Sequence, residues 1–463
     1  MNVGAVQSPS RPTAPRDHCL APSRTVDAPL SYAGRYGRLF PDLPSLVPDD
    51  AALLALGEQG GLCDADADCP DGSEAAGWPI FGQFVAHDIT ADRSPLATHA
   101  DPDAVRNFRT PRANLESMYG AGPVGAPFLF DVRDPAKLLL GVNDRGRPDD
   151  LARNSQGVAL LGDPRNDVHT PMSQLHVALI KVHNGFVDRL REDGVAEADL
   201  FDEAARATRW HYQWLILNDY LPVVAGRALA DSVLSVGPRL YRPGREAYIP
   251  LEFADGAFRY GHSQIREAYR LNDESGPLTL FPDLVGFRPV PAERTIDWAH
   301  LFDLPGRPPA QRAKRIDGRL VRALMQLPRA ITGDVEQDAY HSLAARDLQR
   351  GFALGLPSGE AVARAAGEVP VTPEETGLAE HAWRGETPLW LYFLKEAEVR
   401  EHGNHLGPLG GRIVAEVLLG LIDADPGSYR RVDPSWRPTL PAAEPSSFTI
   451  GDLLTYAAAS GER

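Results

Sequence analysis

The stretch FGQFVAHDIT, residues 81–90, sets Gln83, His87 and Asp88 inside an otherwise apolar run. Polar side chains in such a run are unfavourable unless each finds a partner. If the stretch is helical, Gln83 and His87 stand at i and i+4 and face one way, while Asp88 lies about 100° around the axis. Two polar groups then address one site and the carboxylate another. An imidazole so placed can take and return protons near neutral pH, although a lone buried histidine is more often a hydrogen-bonded core residue. LLGDPRNDVHT (160–170) puts Arg165 in a turn-rich segment just before a long periodic run, where a guanidinium can reach into a pocket. GAFRYGHSQIRE (256–267) carries Arg259 and His262 at i and i+3, and Gly261 directly before the histidine permits close approach of something flat. AARDLQRGFALGLP (344–357) adds Asp347 and Arg350, again at i and i+3.

The elements that must position these residues are helices. In MSQLHVALIKVHNGFVDRLRE (172–192) the apolar positions Met172, Leu175, Leu179, Phe186 and Leu190 follow a 3-to-4 spacing that paints one face of a long helix. Segments 205–226, 338–357, 387–400 and 407–422 read the same way, with Gly or Pro at their ends. No alternating run is long enough to announce a sheet. The expectation is a mostly α fold, with one domain over 31–463 after a mobile, Pro-rich tail over 1–30. The long loop 273–295 is expected to be functional or to wrap a cofactor.

Composition narrows the partners. The chain has 463 residues, 43% of them hydrophobic, enough for a sizeable core. Acidic residues outnumber basic ones by 63 to 47, a formal charge of -16, which argues against nucleic acid or an anionic membrane as the main partner. Three cysteines, Cys19, Cys63 and Cys69, are too few for a disulfide framework and point to a reducing compartment. The first 25 residues contain no apolar run of signal-peptide or membrane-span type, so a cytoplasmic setting is expected.

Two tempting features have plainer readings. His176 and His183, seven residues apart, are expected to be core histidines hydrogen-bonded to backbone rather than metal ligands. CDADADCPDGS (63–73) lacks the glycine and glutamate of an EF-hand loop and reads as a solvated acidic turn.

Taken together, AGWPIFGQFVAHDIT, RTPRANLESMYG, LLGDPRND, LHVALIKVHNGF, RWHYQWLILNDYLP, FRYGHSQIR, LAARDLQRGFALGLPSG and LGPLGGRIVAEVLLGLI resemble, in order, the animal-type haem peroxidases, the superfamily of myeloperoxidase and peroxidasin, and most closely its bacterial branch. The resemblance runs from about residue 30 to the C-terminus. It implies a large helical domain wrapped around a buried haem. It implies that His87 is the distal acid–base, Gln83 the distal glutamine, Arg165 the distal arginine and His262 the proximal iron ligand. A proximal histidine held at Nδ1 by an acceptor is a more basic ligand. That acceptor is expected at Asp347, where the family usually has Asn; a carboxylate there implies a lowered ferric/ferrous potential. Arg350 matches the residue that meets a haem propionate.

Further departures bear on the cofactor. Ala86 and Val168 stand where the mammalian enzymes carry the Asp and Glu that esterify the haem, and His169 stands where myeloperoxidase has its sulfonium-forming methionine. A non-covalent haem b, extractable by acid acetone, follows. Asp88 resembles the family's calcium ligand, with Thr110 (hydroxyl and carbonyl), the Arg112 carbonyl, and the side chains of Asn114 and Glu116 completing an oxygen set that suits Ca²⁺. The activity implied is peroxidation: hydrogen peroxide forms a ferryl intermediate that oxidises a small organic donor or a halide, bromide and iodide in preference to chloride. The alternatives are a fatty-acid dioxygenase on the same scaffold, which needs a radical-forming tyrosine near the haem, and a non-catalytic haem-binding protein.

Overall fold

In the computed structural model, residues 34–65, 70–91, 106–244, 246–335, 337–444 and 447–461 are described. The N-terminal tail, Cys19 and Cys69 fall outside these residues. The chain is mostly α, as expected. Among the described residues, strand pairing amounts to four two-stranded ladders, 36–37 with 249–250, 71–75 with 312–314, 140–141 with 150–151 and 268–269 with 278–279, and a few isolated bridges such as His169 with Val285. One continuous cluster of buried apolar side chains runs from Tyr36 to Ala457. Among the described residues no helix is long and apolar enough to cross a membrane.

The axis of the fold is the helix Thr170–Glu192, which the apolar spacing predicts to within two residues. Met172, Leu175, Leu179, Val182, Phe186 and Val187 are all buried. It packs against the helices Leu200–Leu215 and Ile450–Ser460. Its start is set locally. Pro171 occupies the first turn, where its missing N–H is no loss, and the His169 side chain caps the helix by accepting from the Met172 N–H at 3.3 Å.

Three of the expected helices change their form. The segment expected over 205–226 begins at Leu200, widens into a π turn over Ile216–Tyr220 and resumes as Leu221–Ala225 before Gly226. The π turn ends two residues before Pro222, whose ring and missing N–H disfavour a regular turn. The segment expected over 338–357 is split into a 3₁₀ turn, Asp338–His341, and the helix Leu343–Ala353, because Ser342 caps the second piece through the Ala345 N–H. The stretch 81–90 sits in a helix that starts earlier, Trp78–Ile89, with Pro79 in its first turn. Segments 387–400 and 407–422 are the helices Leu389–Glu401 and Pro408–Ala424.

The long loop 273–295 proves to be a brace. Thr170 N donates to Leu284 O at 2.9 Å, Gly286 N to Val168 O at 3.0 Å and Phe287 N to Asp167 O at 2.8 Å. This short ladder holds residues 167–170, including His169, at the head of the central helix. Gly286 is required there by space, since a Cβ would collide with the Asp167 carbonyl oxygen. Gly286→Ala is expected to destabilise the protein by about 1–3 kcal/mol, the usual effect of overpacking. Urea denaturation of the purified variant checks this, and an unchanged midpoint would show that the ladder yields without strain.

Candidate active site

Helix Trp78–Ile89 is buried on almost every side. Along it and its cap residue, Gln83, Ala86 and Thr90 keep accessible surface, and His87 lies on the same face. These positions follow the i, i+3, i+4, i+7 spacing of one helix face. His87 Nδ1 lies 2.9 Å from Asn166 Oδ1, and Asn166 Nδ2 lies 3.0 Å from His176 Nδ1. An amide oxygen only accepts, so in this arrangement His87 carries its proton on Nδ1 and keeps a lone pair on Nε2. Burial and the nearby Arg165 charge hold the imidazole neutral, its pKa pushed down to about 3. Gln83 Oε1 meets His169 Nε2 at 2.8 Å.

Arg165 is fastened to the end of the same helix. Its guanidinium donates to His87 O at 3.0 Å and Thr90 O at 2.6 Å, carbonyls at a C-terminus where the helix dipole favours positive charge. Asp163 holds it from the other side at 2.7 and 3.1 Å. Burial opposes ionisation of Asp163, but hydrogen bonds and charge from Arg165, with the charge of Arg109, outweigh it and hold the carboxyl well below the usual range. Arg165 is thus a tightly held, partly exposed guanidinium facing open space.

Opposite lies the 3₁₀ helix Ala257–Gln264. Three residues per turn bring i and i+3 into line, and Arg259 and His262 use that alignment to share one carboxylate. His262 Nδ1 lies 2.5 Å from Asp347 Oδ2, and Arg259 Nη1 lies 2.8 Å from Asp347 Oδ1. Asp347 is fully buried, which opposes its ionisation, but His262 and Arg259 outweigh this and hold it charged below its ordinary pKa. Asp347 is therefore turned to His262, as the resemblance implies, with Arg259 as a second partner. Arg350, one turn along helix Leu343–Ala353, approaches Asp255 at 3.5 Å.

A cavity of about 310 Å³ is lined by Thr90 and Arg165 from one side and by Asp255, Arg259, Arg346, Asp347 and Arg350 from the other, and neither His87 nor His262 is among its lining residues. The four guanidinium groups outnumber the two carboxylates, which suits the propionates of a haem. His262 Nε2 has no partner among the described residues, as an iron ligand requires. These residues fit a haem. Ala86 and Val168 carry no carboxylate, and Asp167, which precedes Val168, is paired with Arg153 by bonds of 2.6 and 2.8 Å.

Asp88 belongs to a separate cluster, as its position around the helix predicts. Its carboxylate accepts from Leu115 N at 2.9 Å, Ser117 N at 3.1 Å and Ser117 Oγ at 3.0 Å. Thr110 Oγ1 donates to Glu116 Oε2 at 2.7 Å, and Asn114 Oδ1 accepts from Glu116 N at 3.0 Å. The side chains of Asp88, Thr110, Asn114 and Glu116 are thus linked directly or through one loop, while the Arg112 side chain is exposed. Among the described residues no group of three His, Cys, Asp or Glu is disposed to hold a metal ion.

Several residues escaped the sequence. Asn166 and His176 support His87, Asp163 supports Arg165, and Arg109 bridges Asp163 and Glu116. The DPRND run holds Asp163 and Asn166, and the spacing of His176 marks it only as a core histidine; partners 79 residues apart leave no local pattern for the pairing itself. His183 follows its core reading, bonded to Tyr119 Oη and Ala136 O, whereas His176 bonds a side chain and not backbone. Asp71, in the acidic stretch 63–73, pairs with Lys314 and Arg266 rather than with solvent alone.

The buried histidines make a prediction about acid. Burial pushes the pKa of His87 and His176 down to about 3 and that of His183 and His211 to about 4. The unfolded chain takes up these protons near pH 6.5, the folded chain only near its lowered values. Their contribution to stability is therefore present above pH 6.5 and is lost as pH falls toward 4, by up to about 1.4 kcal/mol per pH unit for each. Melting curves from pH 7 to 5 should shift steadily downward; a flat profile would contradict neutral burial.

The chain matches the family model described as animal haem peroxidase over residues 128–371, just over half its length. Arg165, His262, Asp347 and Arg350 lie inside that span and Gln83 and His87 before it. Peroxidase mlt-7 of Caenorhabditis elegans is 33% identical over 118 residues, 25% of this chain and 16% of that protein, so the match spans a small part of the relative's length. Among solved structures, Peroxidase A from Dictyostelium discoideum superposes with a TM-score of 0.67 at 15% identity, covering 93% of both chains. The Oryza sativa fatty acid alpha-dioxygenase gives 0.61 at 15% identity, covering 90% of this chain and 78% of that one. At such identities the superpositions establish the fold, and the family match carries the assignment: the chain belongs to the animal haem peroxidase family.

Proposed function

We propose that the protein is a haem-dependent peroxidase that uses hydrogen peroxide to oxidise a small organic donor or a halide, bromide and iodide in preference to chloride. The observation that carries this is the free Nε2 of a neutral His87 beside the Arg165 guanidinium, with His262 held by Asp347 on the other side. Bound haem supplies the iron and the redox chemistry that cleaves the O–O bond. His87 Nε2 takes a proton from the peroxide and returns it to the oxygen that leaves as water. The Arg165 charge stabilises the negative charge that develops during cleavage. His262 Nε2 would hold the iron, and the arginines of the cavity, Arg350 among them, would hold the propionates without any covalent link.

The negative charge on Asp347 makes His262 a stronger donor and favours the ferric state, and the Arg259 contact moderates that effect. The dioxygenase reading draws support from the fold it shares with the Oryza sativa protein. It needs a radical-forming tyrosine. Tyr260 is close in sequence to His262, yet it is buried with its hydroxyl 2.8 Å from that of Tyr220.

For calcium, the support is charge. Asp88 is fully buried and no cationic side chain among the described residues bonds it, a situation that a divalent cation relieves. We propose that Asp88, Thr110, the Arg112 carbonyl, Asn114 and Glu116 form this site, tying the His87 helix to the loop.

The peroxidase reading is tested by haem reconstitution followed by stopped-flow mixing with peroxide. A Soret band should form and respond within the mixing series, and His87→Ala should slow the response by about 10²–10⁴-fold. A His87→Ala protein as fast as the parent would favour a non-catalytic haem-binding role, and oxygen uptake with a fatty acid would favour the dioxygenase. Chelation with EGTA should lower the melting temperature by several degrees, since a ligand that binds the folded state stabilises it by mass action. An unchanged melting curve would mean that hydrogen bonds alone close the clasp.

A further inference from the structure

We infer that His169 is a positioning residue whose imidazole fixes the side-chain amide of Gln83 with its NH₂ group toward the open face of the His87 helix. This inference rests on the peroxidase reading for its consequence, but its geometry stands apart from it. The chain of reasoning starts from a donor that cannot be reassigned, the backbone N–H of Met172. It is shared between His169 O at 3.1 Å and His169 Nδ1 at 3.3 Å, so a proton on Nδ1 would face it head-on. That nitrogen must be an acceptor, so the neutral ring carries its proton on Nε2.

His169 Nε2–H therefore donates, and Gln83 meets it at 2.8 Å with its oxygen. A glutamine amide is nearly symmetric in shape, and left to itself it can turn either end toward a ligand. Here the oxygen is taken. Gln83 Nε2 has no partner among the described residues, and it sits on the face it shares with His87, Ala86 and Thr90. The open face of the helix consequently presents a hydrogen-bond donor rather than an acceptor at this point.

The imidazole is itself held. The ladder from 284–287 to 167–170 fixes its backbone, and the cap on the central helix fixes its ring. A donor presented this way favours a bound anion or a partly negative peroxide oxygen, whereas a flipped amide would repel either. The position that forgoes a methionine link thus orients the residue one helical turn from His87.

Asparagine at 169 separates the two roles of the histidine. It is a strong N-cap and keeps the bond to Met172 N, but it is too short to reach Gln83. We therefore compare the ferric, haem-loaded full chain with His169→Asn, Gln83→Leu and the double variant, titrating azide by the Soret shift and recording melting temperature. His169→Asn should raise the azide Kd about tenfold with little change in melting, the effect of losing an oriented donor to a charged ligand. In the Gln83→Leu background the same substitution should have no further effect. An azide Kd within twofold of the parent, or an equal effect in both backgrounds, overturns the inference.

A second measurement needs no haem. In ¹⁵N-histidine spectra of the wild-type chain at neutral pH, His169, assigned through bonds from its own backbone amide, should be protonated at Nε2 alone. A ring protonated at Nδ1 overturns the inference even if the variant does not fold. A wild-type chain that forms no Soret band instead removes the peroxidase reading, and the tautomer then decides the geometry by itself.

Discussion

The contact on which most of the site depends is the buried carboxylate of Asp163, shared between Arg165 and Arg109. A carboxylate wholly removed from water is tolerable only when paired and hydrogen-bonded, and here it has two guanidinium partners. Each partner reaches a different part of the molecule. Arg165 grips the carbonyls of His87 and Thr90, so it sets the end of the helix that carries His87. Arg109 reaches Glu116, in the loop whose backbone holds Asp88. One buried negative charge thereby couples the cavity to the loop behind it.

The same economy appears on the other side of the cavity. Asp347 offers one oxygen to His262 and the other to Arg259, and the 3₁₀ geometry of 257–264 makes both bonds attainable at once. An α-helical turn would rotate the two side chains apart by about 60°. His262 is thus held by a carboxylate whose own charge is partly answered by Arg259.

Much of the architecture was legible beforehand because it rests on local patterns. Helix Thr170–Glu192 follows from apolar spacing, and Gln83 and His87 share a face because they are four residues apart in a helix. The opposition of Asp88 to that pair follows from the same rotation. Where the reading slipped, the cause was a local event with weak sequence signal: the π turn before Pro222, or Ser342 dividing one expected helix into two. The length of loop 273–295 points to a role, yet that role as a brace for His169 depends on a ladder between segments more than 100 residues apart.

By itself the sequence determined the residue types, their order along the chain and their phase around each helix, since these depend on covalent spacing and backbone geometry alone. It also carried the family resemblance, which came from many short motifs in order. Only the tertiary structure decided the protonation pattern: that Asn166 faces His87 Nδ1, that Arg259 shares Asp347, and that His169 meets Gln83 rather than the cavity. The physical reason is that a buried polar atom must be satisfied by whatever packing brings within about 3 Å, and packing joins residues that the chain keeps far apart.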